Sequence, residues 1–147
     1  MIEARFGHVN LIARDWQSLA AFYQRVFGCM LVPPERDYRG RDQSAGTGVP
    51  NAALRGVHLR LPGRSTDGPT LEIYQYSREE DALTPAANRP GFAHIAFAVP
   101  DVEEALQKAE SLGGERVMGP ETIMDGLTLG HFKDPEGHLI GLVGERS

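Results

Sequence analysis

Residues 6–28 read FGHVNLIARDWQSLAAFYQRVFG and residues 92–114 read FAHIAFAVPDVEEALQKAESLGG. The two stretches align without a gap. The offset that places His8 on His94 also places Asp15 on Asp101, Leu19 on Ala105, Val26 on Leu112 and Gly28 on Gly114. The chain therefore contains an internal repeat, and the fold of one copy should be the fold of the other.

Each copy opens with a period-two segment. Val9, Leu11 and Ala13 share one face against His8, Asn10 and Ile12 on the other; Ile95, Phe97 and Val99 likewise oppose His94, Ala96 and Ala98. A helix follows, started by Asp15 or Asp101 as acceptor for the open backbone N–H groups of the first turn, and ended by Gly28 or by Gly113 and Gly114. Leu19, Phe22, Tyr23, Val26 and Phe27 recur at helical spacing, as do Val102, Ala105, Leu106, Ala109 and Leu112, so each helix has one apolar stripe. That stripe is expected to cover the apolar face of its own strand, which leaves each histidine on the opposite face.

Strands are predicted next over residues 29–32, 56–61 and 71–76, and in the second copy over 115–118, 128–132 and 138–143. The last two join through Asp134-Pro135-Glu136-Gly137, with proline and glycine at the second and fourth positions that suit a type I turn. The fold class is α+β: two βαβββ units, paired about a pseudo-twofold axis into a curved mixed sheet with helices on the convex face. The 147 residues should make one domain, with unit 1 at about 3–77, a linker at about 78–90 and unit 2 at about 91–145. Residues 33–55 form the longest stretch read as irregular. Its Arg36, Arg39 and Arg41 could meet an anionic substrate group or simply lie in a solvated loop.

Composition narrows the partners. Of the residues 41% are hydrophobic and 24% charged, within the ordinary globular range. The net charge of −5 and the absence of a basic, aromatic-interleaved block argue against nucleic acid or an acidic membrane surface and for a small-molecule substrate. The single cysteine, Cys29, excludes an intramolecular disulfide. Nothing resembles a signal peptide or a bilayer-spanning run, so a cytoplasmic location is expected.

In LEIYQY, residues 71–76, alternation puts Leu71 and Ile73 toward the core and Glu72, Tyr74 and Tyr76 on the other face. A carboxylate inside a strand is costly to bury unless it is paired or bound to a metal, and His8 and His94 are the candidate partners. Two imidazoles and a carboxylate from three strands can hold Zn, Ni, Mn or Fe(II) and leave positions open to substrate. The alternative is two satisfied strand histidines and an edge glutamate.

The paired openings, LEIYQY and the ending FKDPEGHLIGLVGE together resemble the vicinal oxygen chelate (VOC) superfamily, the glyoxalase/bleomycin resistance/dihydroxybiphenyl dioxygenase fold. The pattern is most similar to glyoxalase-I-like (lactoylglutathione lyase-like) proteins. The resemblance implies one divalent metal per site, a homodimer, and metal ligands at His8, Glu72, His94 and position 141. The usual residue at the last position is Glu, and here it is Gly141. The implied reaction is lyase or isomerase chemistry on vicinal oxygens through a metal-bound enediolate, with a carboxylate moving the proton. With only Glu72 left, that residue would act as both ligand and base, or share the work with Tyr74 or His131. His131 could replace the missing ligand, act as a general acid or base, or be a surface imidazole; His58 carries a weaker signal and His138 is expected to be exposed. Two other readings remain. One is an Fe(II)-dependent ring-cleaving dioxygenase using His8, His94 and Glu72; the other is a binding protein of the bleomycin-resistance kind without chemistry.

Overall fold

The computed structural model describes residues 1–86, 88–123 and 126–144. Ala87 of the expected linker and residue 145 of the expected second unit lie outside them. The chain divides into two compact units, Met1–Asp81 and Ala82–Ser147.

The first unit runs β1 (His8–Ile12), α1 (Trp16–Phe27), β2 (Met30–Arg39), α2 (Arg41–Thr47), β3 (Ala53–Arg60) and β4 (Thr70–Tyr76). Its four strands lie in the order β1-β4-β3-β2, with β1 parallel to β4 and the other pairs antiparallel. The second unit runs β5 (Ile95–Val99), α3 (Val102–Ser111), β6 (Glu115–Thr122), β7 (Thr128–Lys133) and β8 (Leu139–Gly144). Its sheet order, β5-β8-β7-β6, repeats the first. The α+β class and the twofold βαβββ repetition follow the sequence pattern. No helix among the described residues is long and apolar enough to cross a membrane.

The helices begin where the aspartates require. The Ser18 amide donates to Asp15 Oδ1 at 3.0 Å and the Glu104 amide to Asp101 Oδ1 at 2.9 Å. Helix α1 lies against β3 and β4, and α3 against β6, β7 and β8. The stripe of α1 thus covers the middle of its sheet, and that of α3 the β6–β7 side of its sheet, rather than chiefly the preceding strand, because β1 and β5 are edge strands that pair with β4 and β8. Under α1, Leu59, Leu71 and Ile73 are fully buried; in the second unit Leu106, Phe132 and Ile140 are. Each such side chain contributes about 2 kcal/mol through burial. A one-residue slip of β4 would carry Leu71 and Ile73 to the other face, so this apolar row also fixes where Glu72 points.

Two segments differ from expectation. Residues 33–55 are not an irregular loop: β2 continues to Arg39, α2 follows, and β3 starts at Ala53. An edge strand tolerates the prolines, and the register shift between Val32 and Arg36 absorbs them before pairing with β3 resumes. The β7–β8 turn closes as predicted, with the Gly137 amide donating to Asp134 O at 2.9 Å. His138 is half-buried rather than exposed, its Nδ1 2.8 Å from Oδ2 of the buried Asp134.

Candidate functional site

Strand pairing in the first unit puts Val32, His58, Glu72 and Asn10 in one cross-strand row, and Arg36, Gly56, Tyr74 and Ile12 in the next row on the same face. That face is opposite the one covered by α1. Glu72, with 16% of its side chain exposed, stands between two imidazoles: Oε2 is 3.6 Å from His8 Nε2, and Oε1 is 3.3 Å from His58 Nε2. The Tyr74 hydroxyl is 2.5 Å from the same His58 nitrogen, with the two rings edge-on. Tyr74 is itself buried against Ala52, Leu54 and Tyr76.

Burial sets the protonation of this group. It depresses the His58 pKa, the attraction of Glu72 offsets that only in part, and Arg36 and His8 add to the depression. The neutral imidazole form of His58 is thereby favoured, so its approach to Glu72 is not an imidazolium–carboxylate ion pair. Burial, then Glu72 and Tyr38, push the Tyr74 hydroxyl above its ordinary range, so Tyr74 stays protonated. Cys29 is buried and its thiol is pushed up to about 11, which leaves it inert.

The second unit repeats the row with Met118, His131, Gly141 and Ala96. The His94 ring lies over Gly141: a Cβ there would stand 3.0 Å from His94 Cδ2 and 3.2 Å from its Nε2. His131 meets His94 edge to face, ring centres 5.1 Å apart, and its Nδ1 is 3.2 Å from Met118 Sδ. His131 is thus half-buried beside His94 rather than a surface imidazole. Burial, followed by the nearby His94, lowers its pKa.

The structure brings His8 to Glu72, Tyr74 to His58, and His131 to His94. The residue that the sequence underweights is His58, which stands against Glu72. A histidine on the third strand of both units was the signal for it, hidden because the segment carrying α2, inserted between β2 and β3 in the first unit alone, breaks the constant offset of the copies. Of the arginines of β2, Arg36 donates to the carbonyls of Val32 and Pro34, and the exposed Arg39 pairs with Asp37 at 2.8 Å. Among the described residues no three or more His, Cys, Asp or Glu side chains are gathered as a metal-holding group. Glu72 has His8 on one side and His58 on the other, and His94 lies against His131. Donors bonded to one ion at about 2.0–2.2 Å stand roughly 3–3.5 Å apart. The His58–Glu72 approach of 3.3 Å falls in that range and the His8–Glu72 approach of 3.6 Å just beyond it, and imidazole with carboxylate suits Zn, Ni, Mn or Fe(II).

Lowered histidine pKa values make stability depend on pH. Near pH 6.5 and just below, the unfolded chain takes up protons that folded His58 and His131 do not, so their contribution is fully present above that range and is lost on acidification. The metal-free protein should show a urea midpoint that falls from pH 7.5 to pH 5, and the double variant His58→Gln/His131→Gln should show a shallower fall. Equal slopes would refute this assignment.

Two repeated units, each presenting one histidine at or just before its first strand and another on its third strand, beside the last strand, carry donors on one face of each sheet. The model of the Glyoxalase/Bleomycin resistance protein/Dioxygenase superfamily matches residues 5–142, and the chain belongs to this superfamily. A lactoylglutathione lyase of Pseudomonas aeruginosa is 27% identical over 148 residues, covering 94% of this chain and 81% of the relative. A glyoxalase family protein from Bacillus cereus superposes with a TM-score of 0.87 at 19% identity, covering 100% of this chain and 97% of the other. A genomically encoded fosfomycin resistance protein from Listeria monocytogenes superposes at 0.62 with 18% identity, covering 100% and 94%.

Proposed function

We propose that the protein is a divalent-metal-dependent enzyme of the superfamily, catalysing glyoxalase-type lyase or isomerase chemistry on a small substrate with vicinal oxygens. The observation that carries this reading is the His8–Glu72 pair, 3.6 Å apart on the sheet face opposite the helix, at two positions where the family pattern has ligands. The lactoylglutathione lyase relative, aligned over 94% of the chain, supports the choice of reaction. His8, Glu72 and His94 are the proposed ligands. The ion would be Zn, Ni, Mn or Fe(II), and the working form a cytoplasmic homodimer.

The bound ion would hold two adjacent substrate oxygens and polarise a carbonyl. Glu72 is the carboxylate that, among the described residues, stands beside His8 to take a proton from substrate carbon and return it to the neighbouring carbon. Tyr74, kept protonated by burial, holds His58 in place, and His58 walls the carboxylate on the side away from His8.

The test is protein purified without added metal, analysed for bound ions, reconstituted with each of the four metals, and assayed on a hemithioacetal of glutathione. About one divalent ion per site and metal-restored turnover are expected. A protein that binds none of the metals would overturn the reading in favour of a binding protein without chemistry. A second reading, Fe(II)-dependent ring cleavage, is favoured by one feature: glycine at position 141 leaves Glu72 as the single carboxylate, the ligand balance of a facial triad. Oxygen consumption with catechols and Fe(II), but not with hemithioacetals and Zn or Ni, would select it.

A further inference from the structure

We propose that His131 and His94 form a two-imidazole ion-binding pair in the second unit, with His131 replacing the carboxylate that position 141 lacks. This deepens the metal-dependent reading and rests on it. The strand register carries the first part of the argument. His131 is the direct cross-strand partner of Gly141, so it stands beside the vacant ligand position on the same face. Gly141 itself is what admits the arrangement. Any side chain there would begin 3.0 Å from the His94 ring, tighter than ordinary packing, so glycine allows the ring to lie across β8 and meet His131.

The spacing of the ring centres fits a shared ion. A nitrogen–metal bond of about 2.1 Å and a further 1.1 Å or so to the ring centre place each imidazole centre roughly 3.2 Å from the ion. At a tetrahedral angle two such centres are then roughly 5.2 Å apart. The His94 and His131 centres are 5.1 Å apart.

The tautomer fits as well. A thioether has no proton to give, so in the 3.2 Å contact with Met118 Sδ the His131 Nδ1 must be the donor. Neutral His131 therefore carries its lone pair on Nε2, the form that binds a metal. His58, the counterpart in the first unit, is engaged differently. The Tyr74 hydroxyl meets its Nε2 at 2.5 Å, whereas the residue at Tyr74's place in the second unit is Val143, which has no polar side-chain group. Of the two third-strand histidines, His131 is the one available as a ligand.

The test uses the full-length, metal-free chain titrated with Ni(II), and pulsed EPR of the Cu(II)-loaded chain to count bound imidazoles. His131→Gln is expected to weaken Ni(II) binding at least about 100-fold and to lower the imidazole count by one. His131→Cys, which keeps a donor, should recover most of the affinity, and urea midpoints report whether each variant folds. Unchanged Ni(II) affinity and imidazole count in folded His131→Gln would overturn the pair while leaving the metal-dependent reading intact. Wild-type protein that binds neither ion would overturn both. Loss in His131→Gln with full affinity in Glu72→Gln would sustain the pair and remove Glu72 from the metal.

Discussion

Glu72→Ala is expected to lower divalent-ion affinity at least about 100-fold while leaving the metal-free fold close to wild type. The two effects separate for a physical reason. Glu72 is partly solvated, and its neighbours keep other partners when it is removed: His8 faces solvent, and His58 retains the Tyr74 hydroxyl. Truncation therefore strands no buried charge, and a stability change within about 1 kcal/mol is expected. Ion binding is different, because the carboxylate between His8 and His58 is gone. Thermal melts can show both at once. At an ion concentration of about one hundred times its dissociation constant, wild type should gain about 2.7 kcal/mol, and the variant almost none. A variant that keeps near-normal metal content after dialysis would remove Glu72 from the coordination sphere and with it the central assignment of the function.

Much of this site is legible in the sequence because two periodicities meet there. Period-two alternation put His8 and Glu72 on the face away from Leu11, Leu71 and Ile73, and the burial of those three residues agrees. The constant offset between the copies then located His94. What alternation within a strand cannot give is the neighbour across the sheet. His58 reaches Glu72 only because a connection of nine residues, 61–69, returns β4 in the register that pairs them, and a closely related row in the second unit is closed by a shorter turn. The same limit explains β2. Its Pro33-Pro34 and glycine-rich continuation have loop composition, yet pairing of Arg36, Asp37, Tyr38 and Arg39 with β3 overrides local propensity. Gly141 was legible as an anomaly, but the ring that fills its space is a tertiary fact.

Gly56→Ala is expected to be the most destabilising small substitution on this face, and to disturb the site as well as the fold. Gly56 is the cross-strand partner of Tyr74. A Cβ there would lie 1.9 Å from the Ile73 carbonyl oxygen and 2.7 Å from Tyr74 Cδ1. The first contact is with backbone in the middle of the sheet, where no side-chain rotation can relieve it, so β3 and β4 must separate locally. Overpacking of this kind costs about 3 kcal/mol. Alanine restricts the unfolded chain more than glycine does, which offsets roughly 0.5–1 kcal/mol. The remaining loss of about 2 kcal/mol corresponds to a fall in melting temperature of roughly 5–10 °C for a chain of this size. Because the Tyr74 ring would be pushed from its seat, the 2.5 Å contact to His58 should also break, and with it the wall beside Glu72. Tyr74→Phe separates the two consequences: it removes the hydroxyl without touching the Ile73 carbonyl, so it should alter ion affinity more than stability. In the double variant Gly56→Ala/Tyr74→Phe, most of the stability loss should persist, because the backbone clash does. Melting within a degree or two of wild type for Gly56→Ala would mean that β3 accommodates a side chain at position 56, and that the approach of Tyr74 to His58 does not depend on this glycine.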